Sequence, residues 1–480
     1  MLDVFSATPF LGLVVVVAAL WLLTRRHPGL PPGPPLLPFV GNALSMGSDP
    51  KLTFRNLRSR YGDIFSVYLF NKPVIVLNGF TVLKDALVKN ADVFSDRPYT
   101  LQNDFISRGK GIIGTSGDVW REQRTFTLNT LRDFGMGKNI MEDKINEEIS
   151  QFLAAIDEKM GQGFDCSRLV HNAVSNVICS TVFGKRFEYT DSLFVKFLKA
   201  LEENLVLLGD FYLEIHLSLK KIVNNASLVE TLLTQPSMKE HLKTHDDNDV
   251  EDFLGAYIKE MRHRQQQNED TSMDFENLNR VIANLFVAGT ETTATSIRWA
   301  LVYFLNYPDV QEKCFQEILE NVGQSRRPSM KDKTSLPYME ATITEVLRHS
   351  NIVPANLPHT VSHDVQFRGY TFPKGILVIP NLDSVLRDSD VWGDADNFRP
   401  ERFLNDEGKF QKKEEFIAFS LGRRVCLGEA MARMELFLFL TTMIQRFQFV
   451  SVNGQKPSMD GHLGLIHNPK PFAVRAVPRE

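Results

Sequence analysis

The sequence predicts a mainly α-helical protein with small β-sheets (an α+β protein), carrying an N-terminal transmembrane helix. Three observations support this fold class. Hydrophobic residues make up 43% of the 480 residues and charged residues 23%, which is typical of a folded globular chain. After Pro50 the chain shows mostly amphipathic helical patterns, and strand-like segments are few. Residues 4–23 carry no charged side chain and are rich in Leu and Val.

The apolar segment near the N-terminus predicts a transmembrane signal-anchor over residues 1–24. Its twenty uncharged residues would span about 30 Å as a helix, the thickness of the hydrocarbon core of a bilayer. Arg25 and Arg26 follow directly, and because positive charge stays on the cytoplasmic side, the rest of the chain is expected in the cytosol. A cleaved signal peptide is the alternative, but it would carry its basic residues before the apolar run.

A basic and proline-rich hinge is predicted over residues 25–38, followed by a single large domain over residues 39–480. Closely spaced prolines cannot continue a helix, so the hinge should be extended and stiff. Helices are predicted at residues 53–61, 82–88, 120–133, 144–157, 249–265, 275–304, 308–322 and 338–349. Strands are predicted at residues 65–69, 74–77, 365–367 and 376–379.

Charge and cysteine content exclude several classes of protein. The chain has 54 Lys and Arg against 58 Asp and Glu, and this near-neutral balance argues against nucleic acid as a partner. The four cysteines show no CxxC spacing, which excludes a disulfide scaffold and a structural zinc ribbon. Cys166, Cys179 and Cys314 are expected to be small buried side chains.

Cys426 stands in a different context. A strong helix-forming run follows it, and at a helix N-terminus the free N–H groups and the dipole stabilise a thiolate. Gly422 and Gly428 leave room for the backbone to turn tightly and to approach a flat group. Phe419 can pack beside the sulfur and Arg424 can reach an acidic group. A thiolate, a close backbone and a cation together suit a haem iron and its propionate.

Residues 419–428 resemble the haem-binding signature Phe-x-x-Gly-x-Arg-x-Cys-x-Gly of the cytochrome P-450 monooxygenases. Five fixed positions match, and the chance of such a match is on the order of 10⁻⁴. The resemblance implies a haem-thiolate catalytic domain over residues 39–480, with haem b bound through the axial thiolate of Cys426. Segments 31–35, 335–340, 367–370 and 373–375 are similar to those of the animal microsomal members, especially family two.

Other motifs of the family follow in the expected order. Glu345 and Arg348 resemble its Glu-x-x-Arg pair, and Arg402 supplies the third partner. The resemblance implies a buried structural ion cluster on the proximal side of the haem. Without it, Glu345 and Arg348 would be an ordinary helix pair that contributes little to stability.

The resemblance also implies a set of partners for the haem propionates. Trp120 and Arg124 match the family's Trp-x-x-x-Arg motif; taken singly, Trp120 would be a core residue and Arg124 a solvated one. A buried dianionic cofactor needs several hydrogen-bond donors. The implied donors are Arg97, Trp120, Arg124, His359 and Arg424.

Residues 288–293 interrupt the long helical pattern of residues 275–304 with Gly and Thr, which are poor helix formers. A Thr hydroxyl that bonds back to the carbonyl one turn earlier is the purely structural interpretation. The functional interpretation is a locally widened turn with room for dioxygen and water. The segment matches the family's Ala/Gly-Gly-x-Asp/Glu-Thr-Thr/Ser motif. The resemblance implies that Thr292 hydrogen-bonds the dioxygen and that Glu291 helps to relay protons.

The implied function is a monooxygenase of the endoplasmic reticulum membrane that hydroxylates or epoxidises lipophilic substrates. Xenobiotics, long-chain fatty acids such as arachidonic acid, and steroids all remain open as substrates. No dinucleotide-binding glycine motif follows a strand, so electrons are expected from outside the chain. The resemblance implies that NADPH–cytochrome P-450 reductase delivers them, with cytochrome b5 as a further candidate. Arg121, Arg423 and Arg433 could dock an acidic partner or could form only a solvated rim.

Two other functions stay open at this point. A haem-thiolate hydroperoxide isomerase or lyase needs no proton relay, so the intact Glu291 and Thr292 count against it. A non-enzymatic haem-binding sensor would consume no NADPH in response to substrate.

The substrate pocket is expected in four mostly apolar segments, residues 101–113, 286–290, 353–357 and 463–466. Ala355-Asn356 stands where relatives of this kind often carry Leu-Gly, and Asn356 could orient a polar substrate group or bond only to backbone. The predicted pocket residues are Ile113, Phe286, Ala288, Val353, Asn356, Leu357 and Leu465.

Overall fold

A computed structural model of the chain describes residues 25–47, 49–99, 107–135, 139–209 and 252–479, with the single positions Val16 and Val250. The α-helices are α1 Pro50–Tyr61, α2 Phe80–Lys84, α3 Ala91–Phe94, α4 Gly117–Asp133, α5 Asn139–Asp157, α6 Ser167–Val182, α7 Ser192–Gly209, α8 Phe253–Gln266, α9 Phe275–Asn306, α10 Pro308–Asn321, α11 Pro337–Ser350, α12 Asp383–Leu386, α13 Ser389–Trp392 and α14 Glu429–Arg446. The strands are β1 Ile64–Leu69, β2 Lys72–Leu77, β3 His359–Thr360, β4 Val365–Phe367, β5 Tyr370–Phe372, β6 Leu377–Pro380, β7 Phe447–Ser451, β8 Gly461–Leu463, β9 His467–Pro469 and β10 Val474–Pro478.

The prediction of a mostly helical fold with small sheets is confirmed, and each predicted helix and strand is present, most of them with shifted ends. Residues 82–88 are not all α-helical as predicted, because α2 ends at Lys84 and a π-helix, Asp85–Lys89, follows it. The elements that were not predicted are α3, α6, α7, α12 and α13 and the strands β3, β5 and β7 to β10. Helix α6 was missed although its polar residues recur every three to four positions; in the fold most of its residues are buried.

Several helix ends follow from local chemistry. Helix α1 begins with Pro50, and the Asp49 carboxylate before it accepts hydrogen bonds from the N–H groups of Lys51 (2.9 Å) and Leu52 (3.3 Å). Asp274 caps α9 in the same way by accepting from the N–H of Asn277 at 2.6 Å. These caps satisfy N–H groups that have no partner inside the helix.

The described residues divide into two compact units that are interleaved along the chain. The first holds residues up to Tyr99 with Pro354–Val385 and Leu421–Arg424. Its main sheet has the strand order β1-β2-β6-β3, in which only the β2–β6 pair is parallel. Whether residues 39–480 act as one catalytic domain stays a prediction.

The second unit contains Thr100–Val353, Leu386–Ser420 and Val425–Glu480. One large apolar core joins α5, α6, α9, α11 and α14 within it. Gly289 of α9 allows a close approach to α6, because a Cβ atom at this position would lie 2.5 Å from Cδ1 of Ile178. The crossing of α6 and α9 decides which polar side chains meet near the 288–293 motif.

The predicted anchor, residues 1–24, lies outside the described residues except for Val16. Across the part of the chain that is described, no helix has both the length and the apolar composition needed to cross a bilayer.

Candidate active site

Cys426 lies on a loop that is closed by its own backbone. Its N–H donates to the carbonyl of Phe419 at 2.9 Å, and α14 begins three residues later with Gly428 as N-cap. The Cys426 side chain is exposed, yet the protein around it is dense enough that burial raises its pKa. An accessible side chain with such dense surroundings lies in a recess.

Opposing effects act on the pKa of the Cys426 thiol at this helix N-terminus. Burial raises the pKa of Cys426, and the charge of Glu429 acts in the same direction. The N–H of Gly428 and the charge of Arg124 lower the pKa, but together they do not compensate. A metal ion that binds the sulfur would displace the proton outright.

The two glycines of the loop have different roles. Gly422 has a φ of +72°, and a Cβ atom there would lie 1.8 Å from the carbonyl oxygen of Leu87. Its near neighbour is therefore protein backbone, and an approach of Gly422 to a cofactor stays a prediction. A Cβ atom on Gly428 would meet nothing within 4 Å. The space beside Gly428 is free of protein atoms, as a planar cofactor near the sulfur requires.

Three of the predicted propionate partners lie in the first unit. Arg97 donates to the carbonyls of Leu357 (3.0 Å) and Pro358 (2.7 Å). Arg424, which is buried, donates to the carbonyl of Ser95 at 2.7 Å. These bonds hold two guanidinium groups close enough to His359 that both influence its ionisation.

His359 is 1% exposed, and its Nδ1 donates to the carbonyl of Phe94 at 2.6 Å. Burial lowers its pKa to about 3, and the charges of Arg97 and Arg424 add to this effect. Its Nε2 has no hydrogen-bond partner among the described residues. The negative charge of an anionic group would oppose the charges of Arg97 and Arg424 and raise the pKa of His359. The protonated ring could then donate a hydrogen bond from Nε2 to that group. This buried nitrogen fits a carboxylate ligand such as a haem propionate.

Trp120 and Arg124 of α4 lie in the second unit. Arg124 donates to the carbonyl of Val425 at 2.6 Å, and its guanidinium lies 6.0 Å from the centroid of the Trp120 ring. Burial lowers the pKa of Arg124, so the interpretation of a merely solvated arginine does not hold. Phe419, partly buried against the core, has the Arg433 guanidinium 5.1 Å from its ring centroid.

The structure brings Glu345, Arg348 and Arg402 together in a buried cluster. Glu345 and Arg348 are both 0% exposed and are joined by two hydrogen bonds of 2.7 and 2.8 Å. Arg402 Nε donates to the same carboxylate at 3.0 Å. The backbone N–H of Arg399 was missed by sequence reasoning, and it adds a fourth bond at 2.9 Å. The arginines also donate to carbonyls, as a buried charge requires.

Helix α9 runs through the 288–293 motif as a regular α-helix. The hydroxyl of Thr292 donates to the carbonyl of Ala288 at 2.5 Å, which is the bond that the structural interpretation predicted. Glu291 is 4% exposed and pairs with His171 of α6, whose Nε2 lies 2.9 Å from the carboxylate. Sequence reasoning missed His171, because nothing near residue 171 in the sequence indicates that pairing.

The predicted pocket residues do not share one environment. Ile113, Val353, Leu357 and Leu465 are partly buried and Ala288 is exposed. Residues 101–106 of the first predicted segment lie outside the described residues.

Phe286 differs from the other predicted pocket residues because it belongs to the core. It is 1% exposed and packs on Phe183 and Phe197, with centroid distances of 5.5 and 5.2 Å. Asn356 has a φ of +54°, and its Oδ1 accepts from the N–H of Leu357 at 2.8 Å. This contact is the backbone role considered for Asn356.

The basic residues suggested as a docking rim each contact an acidic side chain. Arg121 pairs with Asp118 at 2.6 Å and Arg433 with Glu429 at 2.9 Å, and Arg423 pairs with Asp92. Arg433 is also mostly buried, with 14% of its side chain exposed. Arg433 is therefore poorly suited to docking, whereas Arg121 and Arg423 are exposed.

Comparison with known proteins identifies the family. The family model described as Cytochrome P450 matches residues 31–476. The chain belongs to the cytochrome P450 family. It is therefore a haem-dependent monooxygenase, an oxidoreductase of the class that binds haem through a cysteine thiolate.

The relatives are animal enzymes of family two. The chain is 38% identical to cytochrome P450 2J2 of Homo sapiens, with 99% of this chain and 97% of that protein covered. It is 40% identical to cytochrome P450 2D14 of Bos taurus, with 98% and 97% covered. It is 39% identical to vitamin D(3) 25-hydroxylase of Sus scrofa, again with 98% and 97% covered.

Proposed function

We propose that this chain is a microsomal haem-thiolate monooxygenase that hydroxylates or epoxidises lipophilic substrates with electrons from NADPH–cytochrome P-450 reductase. The observation that carries the proposal is the Cys426 loop, with its accessible sulfur and the free space beside Gly428. When bound there, a haem with a thiolate ligand supplies the activation of dioxygen and the insertion of one oxygen atom.

Cys426 would provide the iron ligand, and the propionates would be bound by the donors described above. The buried Nε2 of His359 supports an anionic ligand in the first unit. In the second unit, Arg124 is held by the carbonyl of Val425, which lies three residues before the end of the signature. Charge-assisted hydrogen bonds to carboxylates are among the strongest that side chains form. The Glu345 cluster would contribute stability and touch no substrate.

Thr292 and Glu291 are proposed to handle protons for the reaction. The Thr292 hydroxyl, now donating to Ala288, can rotate to donate to a ligand instead while accepting from water. Glu291 is nearly buried and ionised beside His171, so it can accept and return a proton without leaving the helix. These roles favour a monooxygenase over a hydroperoxide isomerase or lyase, which needs no protons.

The substrate class is proposed as lipophilic, because the pocket residues are mostly apolar and a relative is named for hydroxylating vitamin D(3). Fatty acids such as arachidonic acid, xenobiotics and steroids share this chemistry. Residues 1–24 would anchor the protein in the endoplasmic reticulum membrane, with residues 25–38 as the hinge. Arg121 and Arg423 are the exposed basic candidates for contact with the reductase, with cytochrome b5 as a second electron donor.

The decisive experiment is the spectrum of the reduced carbon monoxide complex. The wild-type protein is expected to show the long-wavelength Soret band of a thiolate ligand, and Cys426→His is expected to lose it because imidazole replaces the sulfur. Cys314→Ser is the matched control, because Cys314 is fully buried and should leave the band unchanged. Retention of the band in Cys426→His would refute the assignment of the ligand.

A further inference from the structure

Helix α6 presents a polar edge to the oxygen-activating motif of α9. His171 and Ser175 lie one turn apart on α6. His171 Nε2 is 2.9 Å from the Glu291 carboxylate, and the Ser175 hydroxyl donates to that of Thr290 at 3.1 Å. Gly289 lets α6 lie close to α9 beside these contacts, because a Cβ atom there would lie 2.5 Å from Cδ1 of Ile178.

The second ring nitrogen of His171 determines how many protons the pair can hold. Nδ1 lies 2.7 Å from the Ser167 carbonyl, which can only accept, so Nδ1 must carry a hydrogen. Nε2 therefore carries a hydrogen only when the ring is an imidazolium. One proton lies between Nε2 and the carboxylate. Its transfer breaks an N–H bond and forms an O–H bond without changing the net charge of the pair.

We propose that His171 is a positioning residue for proton delivery, whose imidazolium holds Glu291 as an oriented carboxylate and shares one exchangeable proton with it. This inference rests on the proposed function, since it concerns the charge of the proposed proton-relay residue. His171 is the more accessible partner, with 16% of its side chain exposed against 6% for Glu291. Protons from solvent would therefore reach the pair on the side of His171.

The electrostatic surroundings are consistent with an ion pair. Burial by itself lowers the pKa of His171, but the hydrogen bond and charge of Glu291 outweigh burial and raise it. Burial raises the pKa of Glu291, and the contacts with His171, helped by Arg298 and Asn468, lower it below its usual value. Arg298, from α9, is the charged group among the described residues that acts on both partners.

Asn468 in β9 is a second partner of the Glu291 carboxylate. Its amide hydrogen-bonds Glu291, and its Oδ1 accepts from the Thr295 hydroxyl at 2.7 Å. The carboxylate thus has a neutral partner from β9 and a titratable partner from α6. Of these two partners only His171 titrates, so only His171 can make the charge beside Glu291 depend on pH.

The test is a pH titration of histidine signals in the full-length protein labelled with ¹³C at Cε1, in the diamagnetic reduced carbon monoxide form. The chain has 11 histidines, and the signal missing from His171→Gln identifies His171. Its midpoint is expected above about 6.5, the ordinary value for histidine. In Glu291→Gln the midpoint should fall by about one unit or more, because burial and Arg298 are then opposed only by the hydrogen bond to Ser167.

The second readout is the fraction of NADPH electrons recovered as hydrogen peroxide, with arachidonic acid as test substrate. In the wild type this fraction should rise with pH through the His171 midpoint, because Glu291 then loses its cation. In His171→Gln the amide can still hydrogen-bond Glu291 but does not titrate, so the pH dependence should be lost. Ser175→Ala is the matched control on the same helix face and should keep the wild-type profile.

A His171 midpoint at or below 6.5 in the wild type, or one that does not move in Glu291→Gln, would overturn the proposal. So would a His171→Gln peroxide profile that follows the wild type. A failure of the proposed function would look different, since the carbon monoxide spectrum would lack the thiolate band while the His171 titration remained measurable.

Discussion

The replacement Glu345→Gln should cost far more stability than the loss of one ordinary ion pair. The Glu345 carboxylate accepts four hydrogen bonds of 2.7 to 3.0 Å, three from Arg348 and Arg402 and one from the backbone of Arg399. Glutamine has nearly the same shape but no charge, and its NH₂ group would face N–H donors. The buried Arg348 guanidinium would keep carbonyl acceptors, and Arg402 would keep carbonyls and the Asp394 carboxylate at 3.3 Å. Removing one partner of a buried pair costs about 3–5 kcal/mol.

The measurement is the free energy of unfolding from urea titrations followed by tryptophan fluorescence. The control is Glu407→Gln, because Glu407 and Lys409 are also 2.7 Å apart but have side chains that are 68% and 76% exposed. An exposed pair contributes about 0–1 kcal/mol. The two pairs match in distance and differ in burial. If Glu345→Gln costs no more than Glu407→Gln, burial does not set the strength of this cluster.

Two further predictions concern the cofactor and the membrane. Gly428→Ala should fold, with a loss of at most about 1 kcal/mol at the N-cap, yet bind less haem because the new methyl group occupies the free space. Gly422→Ala should fail to fold because its Cβ would overlap the carbonyl of Leu87. Urea midpoints and haem content distinguish the two variants. Full haem content in Gly428→Ala would contradict the assignment of the free space to the cofactor. Deleting residues 1–24 should leave the carbon monoxide spectrum unchanged and reduce sedimentation with membranes at high salt, whereas undiminished sedimentation would point to a second membrane contact.

The sequence predicted the elements whose pattern is local. Helix α9 was predicted because its apolar residues recur with helical period over most of its length. The Cys426 loop was recognised because its fixed positions lie within ten residues of each other. Helix α6 was missed although its polar residues recur with helical period, and only the fold shows that polar residues such as Asn172 and Ser175 are buried.

Gly422 shows the limit of a motif for assigning physical roles. The motif associates it with the haem loop, and the structure adds that its positive φ and its contact with Leu87 are what exclude a side chain. A motif also does not reveal the partner of one of its residues. His171 contacts Glu291 although the two are 120 positions apart along the chain. A pattern of neighbouring residues cannot predict a contact between residues so far apart along the chain.

By itself the sequence determined the family and the class of reaction, because the residues that mark them are neighbours along the chain. Only the tertiary structure decided the charge states on which the chemistry depends. Burial raises the pKa of the Cys426 thiol, two arginines help to keep His359 neutral, and His171 keeps Glu291 ionised. The pKa of each group is set by solvent exclusion and by charges brought near in space, and both arise only when the chain folds.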